Sequence, residues 1–190
     1  MSRISDVICN DHKDLKAYYQ RILQAEDEDE QTRWQNMLTW ELARHVVGEE
    51  LVLYPALKKH LQEDAVEDHQ KHQMIKDKLA VFQSLRSDDP RFMPTVAVLM
   101  DDLAAHVTHE EKIDLTNLEG AISEEESKRL ALSFERTKHF VPTRAHPSAP
   151  DRPPYQTAIG LITAPLDYLQ DLFRKWPEPE ETLDHDAPQE

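Results

Sequence analysis

Two short runs, HVVGEE from His45 to Glu50 and HVTHEE from His106 to Glu111, write the same pattern of His-x-x-x-Glu-Glu twice. On an α-helix, residues i and i+4 project from one face about one turn apart. His45 with Glu49, and His106 with Glu110, therefore each aim an imidazole and a carboxylate at one point. Both pairs fall on apolar stripes and not on solvated faces. A buried carboxylate without a counter-charge shifts its pKa or destabilises the fold, and a dication resolves that conflict. Two further stripes each carry one central histidine: His12, 33 residues before His45, and His72, 34 residues before His106. The spacing describes a duplicated helix pair. One hairpin supplies His12, His45 and Glu49; the other supplies His72, His106 and Glu110.

Imidazole mixed with carboxylate suits iron, manganese or zinc better than magnesium or calcium, and the single cysteine, Cys9, removes a thiolate site. If both carboxylates bridge, each metal has two histidines and two carboxylate oxygens. Octahedral positions then stay open for a bridging oxygen and for an exogenous ligand such as O2, peroxide or NO.

Four long amphipathic helices must position these groups. Through about residue 140 there are almost no glycines and no alternating β-branched pattern, so helix is the expected state. The stripes are Ile8, His12, Leu15, Tyr19, Ile22; then Leu38, Leu42, His45, Glu49, Val52, Ala56; then Asp68, His72, Ile75, Leu79, Phe82; and last Leu99, Leu103, His106, Glu110, Ile113. Breaks are expected in AEDEDEQ (25–31), near 60–64, and in RSDDPRFMP (86–94). Such short connections give up-down-up-down neighbours. Pro55, lacking an amide donor, should kink or end the second helix. The expected class is all-α: a four-helix bundle over 1–120, then a C-terminal extension over 121–176. In that extension Ser123 and Glu126 form a capping box for a fifth helix toward Lys138. The proline-rich HFVPTRAHPSAPDRPPYQ makes a strap. A sixth amphipathic helix over 158–176 should pack Ile159, Ile162, Leu166, Leu169, Leu172 or Phe173, and Trp176 on the bundle or on a second subunit. The acidic tail 177–190 is expected to be disordered.

Composition excludes several classes. A formal net charge of −15 argues against a phosphate-backbone partner. No run approaches the roughly 18 apolar residues that span a bilayer, and no apolar h-region opens the chain. A lone cysteine fits a reducing, cytoplasmic compartment.

DHKDL (11–15), HVVGEELVLYPAL (45–57), HQMIKDKL (72–79) and HVTHEE (106–111) together resemble the haemerythrin-like, HHE cation-binding domain over roughly residues 4–118. The tail, with TKHFVPTRAHPSAP and GLITAPLDYLQDLF, is similar to an extension on fungal relatives. The resemblance implies a non-haem di-iron site, oxo- or hydroxo-bridged, in a family of O2 carriers, O2 or iron sensors and redox proteins. Carried over by residue, His12 and His45 would bind one iron, His72 and His106 the other, with Glu49 and Glu110 bridging. Two departures from haemerythrin itself stand out. Asp68 replaces a histidine one turn before His72, and Glu110 replaces an aspartate one position further on. A more carboxylate-rich site stabilises oxidised metals and disfavours simple reversible O2 carriage.

Some assignments stay open at this level. His69, about 100° from Asp68 around the helix, competes with His72 or joins it. Asp68 is either an extra ligand or an acceptor for an imidazole N–H, against a plain role at the helix start. Glu50, Glu111 and His109 flank the candidate ligands but point off the stripes, so they face solvent or support the ligands from behind. Gly48 leaves room for a small molecule or for close helix packing, and Tyr19 and Tyr54 pack the core or serve the site. Three functions follow: an O2- or peroxide-reactive di-iron oxidoreductase, acting on a small organic molecule in the oxygenase variant; an iron or O2 binding, storage or sensing protein; or a structural metal site. No substrate motif is legible, which leaves enzyme status open.

Overall fold

Helix α1 (Ile4–Gln24) starts where Asp6 accepts the Arg3 amide at 2.9 Å. Helix α2 (Glu28–Gly48) starts where Asp27 accepts the Glu30 amide at 2.7 Å. Only Ala25 to Asp27 separates them, because Glu28, Asp29 and Glu30 favour the positive end of α2 and join its first turn. These helices belong to a computed structural model that describes residues 2–62, 66–146 and 155–178, the side chains of 66–68 and 155–162 excepted.

The second rod does not end at Pro55. After α2 the chain makes one π turn (Glu49–Leu53) and resumes as α3 (Tyr54–Leu61), with the proline in its first turn. The Tyr54 amide donates to the Glu49 carbonyl, five residues back, so the wider turn is in place before the proline removes a donor. α3 closes on Gln62 in the left-handed region at φ 57°. Helix α4 (Val66–Ser84) runs back, and α5 (Phe92–His109) returns from the 86–91 loop. A second π turn (Glu110–Asp114) leads into α6 (Leu115–Ala121). The four rods make an up-down-up-down bundle in which α1 packs on α2 and α4 on α5; the described residues contain no strand.

Two apolar clusters fill the bundle. One holds Leu15, Leu38, Leu42, Ile75, Leu79, Phe82, Leu99 and Leu103. The other holds Ile4, Ile8, Val52, Leu53, Tyr54, Leu57, Leu115, Leu118 and Phe134. The interrupting His and Glu residues form the polar layer between them. Within the fourth stripe Ile113 departs from the expected core: it is 44% exposed and Asp114 is buried in its place. The π turn inserts a residue after Glu110 and rotates Ile113 off the stripe. Tyr19 packs, half-buried, against the first cluster.

Helix α7 (Glu124–Lys138) begins where Ser123 accepts the Glu126 amide at 3.2 Å. The return half of a capping box is replaced by Glu126 pairing with Lys59 and His60. α7 lies against α1, α2 and the first π turn. The strap from His139 to His146 is buried from Val141 to Ala145, where Ala145 exchanges two hydrogen bonds with the Gln83 side chain in α4. Residues 147–154 of the strap and 179–190 of the tail, with His185, lie outside the described residues.

Helix α8 (Tyr155–Asp171) reverses the expected packing. Leu166, Leu169, Leu172 and Phe173 face outward, Phe173 being 89% exposed, while Ala164, Asp167 and Asp171 are buried. The strap explains the reversal. Asp167 accepts the Thr143 amide at 3.2 Å and pairs with His146, and Asp171 binds the Thr143 hydroxyl at 2.7 Å and Arg144 at 2.6 Å. Ile159 and Ile162 have side chains outside the described set. Beyond α8, Trp176 meets Trp40 edge-on, 6.2 Å between centroids.

Candidate metal centre

His12, His45, Glu49, His72, His106 and Glu110 come from four different rods and converge in the polar layer, each buried. Their donor atoms fall into two groups. His12, His45, Glu49 and Glu110 form one; Glu49, His72 and His106 form the other; within each group the atoms lie within 4.8 Å of one another. Glu49 belongs to both. Its Oε1 lies 3.0 Å from His45 Nε2 and 3.9 Å from His12 Nε2, and its Oε2 lies 3.2 Å from His72 Nε2 and 4.0 Å from His106 Nε2. Glu110 Oε2 lies 3.3 Å from His12 Nε2 and 3.9 Å from His106 Nε2.

These approaches are not hydrogen bonds. The Nε2 atoms of His12 and His45 and all four carboxylate oxygens of Glu49 and Glu110 are buried with no hydrogen-bond partner. Six such atoms at one level would be a severe cost in an ordinary core. They are what a pair of cations would satisfy, and the donor set of imidazole nitrogen and carboxylate oxygen fits iron, manganese or zinc.

The electrostatics point the same way. Burial works against ionising Glu49, but His45, His106 and His72 outweigh it and hold the carboxyl well below the usual range. Burial and the charge on Glu49 raise Glu110. Burial disfavours protonating His45, yet Glu49 and Asp11 lift its imidazole to about 10. His72, opposed likewise by burial, is lifted to about 9 by Glu49 and Glu50. Protons thus stand in part where positive charge is required.

The model of the hemerythrin HHE cation binding domain matches residues 3–118. The chain belongs to this haemerythrin family. A hemerythrin-like protein of Schizosaccharomyces pombe is 50% identical over 181 residues, 93% of this chain and 89% of that protein. A DNA nickase of Nostoc sp. is 25% identical over 142 residues, 74% of this chain and 40% of the nickase. The crystal structure of an HHE cation binding domain-containing protein from Mycobacterium kansasii superposes with a TM-score of 0.58 at 22% identity, over 73% of this chain and 88% of that one. That likeness concerns the fold.

Around these residues, carboxylates engage the outer nitrogens of three histidines. Asp11 Oδ2 lies 3.1 Å from His45 Nδ1, Glu111 Oε1 lies 2.9 Å from His12 Nδ1, and Glu50 Oε1 lies 3.4 Å from His72 Nδ1. An N–H donated outward turns the Nε2 lone pair inward. Lys138 donates to Asp11 at 2.6 Å, and Lys76 to Glu50 at 2.9 Å. Sequence reading missed Asp11 and Lys138. Asp11 sits beside His12 in the chain but serves His45 on the next helix, so only the packing reveals it. Glu50 is buried, not solvent-facing. The Tyr54 hydroxyl lies 2.7 Å from His72 Nε2.

Other candidates fall outside. His69 is half-buried, edge-on to the Tyr54 ring at 5.1 Å, and in neither donor group. The Asp68 side chain lies outside the described residues. His109 is exposed, 3.7 Å from Asp114. Gly48 leaves no room for a small molecule, since a Cβ there would sit 2.9 Å from Phe134 Cε2. Close packing of α7 on α2 is the reason for this glycine.

Proposed function

We propose that the chain holds two iron ions, one between His12 and His45 and the other between His72 and His106, with Glu49 and Glu110 shared, as an O2- or peroxide-reactive redox centre. The observation that carries this reading is the buried donor set in two groups joined through Glu49, in which the Nε2 atoms of His12 and His45 and the four oxygens of Glu49 and Glu110 have no hydrogen-bond partner. Iron bound there supplies a change of oxidation state and open positions for a small oxidant. The chain's own residues do the rest. Asp11, Glu111 and Glu50 orient three imidazoles, Tyr54 places a hydroxyl beside His72, and the two apolar clusters keep bulk water from the polar layer.

A specific observation favours binding or sensing of a small molecule over oxygenation of an organic substrate. A cavity of about 180 Å³ reaches His106, well below the roughly 300–1,000 Å³ of pockets that take drug-sized ligands. The nicking activity in the name of the Nostoc relative is not carried over, since the chain spans 40% of that protein and has a net charge of −15.

The test is metal content per chain after growth with iron, followed by absorption spectra before and after anaerobic reduction and air exposure. Two irons with near-ultraviolet bands that bleach and return support the proposal. One zinc, or no oxygen-dependent band, leaves a structural site and removes the redox reading.

A further inference from the structure

Helix α8 turns a row of large apolar side chains to the outside. Leu166 and Leu169 on the helix, with Leu172 and Phe173 in the turn that continues it, run from 56% to 89% exposed. The Phe173 amide donates to the Gln170 carbonyl and the Arg174 amide to that of Asp171, so the row keeps nearly helical spacing to its end. Leu166, Leu169 and Phe173 stand at i, i+3 and i+7, positions with which a helix anchors itself in an apolar groove. The opposite side of α8 is taken, since Asp167 and Asp171 hold it to Thr143, Arg144 and His146.

The same chain carries a groove of that kind. It has a volume of about 510 Å³ and lies between α4 and α5, with Val81, Pro90, Pro94 and Val98 as its apolar walls. Val81 and Val98 are half exposed. The basic residues at its rim are neutralised, Lys78 by Asp102 and Arg91 by Asp89. Row and groove adjoin one loop. Just beyond Phe173, Arg174 and Lys175 share a polar cleft with Arg86 and Ser87, and the groove opens at Pro90 and Arg91 further along that loop. A ridge and a groove so placed on one chain can each fill the other when two copies meet about a two-fold axis.

We infer that two copies of the chain form a dimer in which the Leu166–Phe173 row of each lies in the α4–α5 groove of the other. The pairing is independent of what fills the metal centre. With about 150–250 Å² for a large side chain, the rows and grooves of two copies bury on the order of 1,500 Å², inside the roughly 1,200–2,000 Å² of a stable interface. One row in one groove covers about half of that, the size of a chance contact, so the reciprocal arrangement is the one that holds. Charge selects a second copy over a lipid surface. Arg174 and Lys175, the basic residues beside the row, are already engaged by Asp171 with Asn36 and by Asp29, which leaves little for anionic headgroups. The formal net charge of −15 makes copies repel one another, so an apolar pairing should tighten as salt screens them.

The experiment is sedimentation equilibrium of the full-length chain over a wide range of concentration, at low and high salt. The parent should reach twice the chain mass, with a dissociation constant that falls as salt rises. Leu169→Lys in the row and Val98→Asp in the groove should each raise that constant by about tenfold or more. Ile113→Asp, at an exposed position outside both surfaces, should match the parent. An equimolar mixture of Leu169→Lys and Val98→Asp should associate more tightly than either alone, because one intact row then meets one intact groove while lysine and aspartate occupy the other contact. Both positions are exposed, and Leu166→Lys with Val81→Asp tests the same two surfaces should either variant lose its helical circular dichroism. A parent of single-chain mass throughout would overturn the inference, as would one that grows beyond two chains. A dimer weakened by Leu169→Lys and untouched by Val98→Asp would replace the row-in-groove pairing with α8 against α8. A single chain that sediments with phosphatidylserine vesicles would make the row a lipid-binding face instead.

Discussion

Glu111 Oε1 lies 2.9 Å from His12 Nδ1, so the second glutamate of HVTHEE steadies an imidazole on the other hairpin. Glu50, the second glutamate of HVVGEE, does the same for His72 at 3.4 Å. Each His-x-x-x-Glu-Glu run therefore gives a histidine and one glutamate to the centre, and its second glutamate to the lone histidine of the opposite pair. That exchange explains why the doublet is written twice. Removing an acceptor behind a ligating imidazole typically weakens metal affinity by about 10- to 100-fold. Glu111→Ala should show such a loss in competition with a chelator, with Glu111→Gln retaining part of the affinity. Parent-like affinity in Glu111→Ala would mean that His12 needs no orienting carboxylate.

Glu49 is common to both donor groups, whereas His106 belongs to one. Glu49→Ala should therefore empty both positions, and His106→Ala should leave close to one metal per chain. His69→Ala should retain both, because that ring packs on Tyr54 outside the groups. Metal analysis of the three purified variants checks the order; equal retention in all of them would remove the assignment of ligands.

The polar layer was legible because i and i+4 spacing on an apolar stripe has one geometric meaning on a helix. What escaped had no local signature. The π turns that begin at Glu49 and Glu110 show only in their consequences, the uninterrupted passage through Pro55 and the exchange of Ile113 for Asp114. Both open at a buried carboxylate of the polar layer, in keeping with the concentration of π turns at functional sites. Helix α8 misled for another reason. Its leucines have the periodicity of a buried face, but Arg144, Thr143 and His146 pull Asp167 and Asp171 inward, and specific charge pairing decides which side is buried.

Gly48 offers a test of packing. Alanine would gain about 1 kcal/mol of helix propensity, yet its Cβ would meet the buried Phe134 ring at 2.9 Å. Overpacking a filled core costs about 1–3 kcal/mol, so Gly48→Ala should lower stability by about 1 kcal/mol in urea unfolding. Gly48→Ala with Phe134→Leu should be less destabilised than the sum of the single changes. A more stable Gly48→Ala chain would show that α7 can withdraw from α2 at little cost.

The same centre sets a dependence on pH that differs between metal-free and loaded protein. With no metal, the folded chain lifts His45 to about 10 and His72 to about 9 from an ordinary 6.5. A raised folded-state pKa stabilises fully below the unfolded value and loses that contribution as pH climbs through the folded one. Metal-free protein should therefore lose thermal stability between about pH 6.5 and 10, by at least a few degrees in Tm. The depressed carboxyls of Asp11, Glu49 and Glu50 act in the opposite direction, stabilising above their unfolded values and failing as the solution is acidified through their folded ones. Metal replaces the imidazole protons, so uptake should release protons near neutrality, affinity should rise with pH, and the loaded protein should not show the alkaline decline. Thermal unfolding of both forms across this range, with calorimetry in buffers of different ionisation heat, checks each sign. Parallel curves for the two forms would place the raised imidazoles outside the metal's reach.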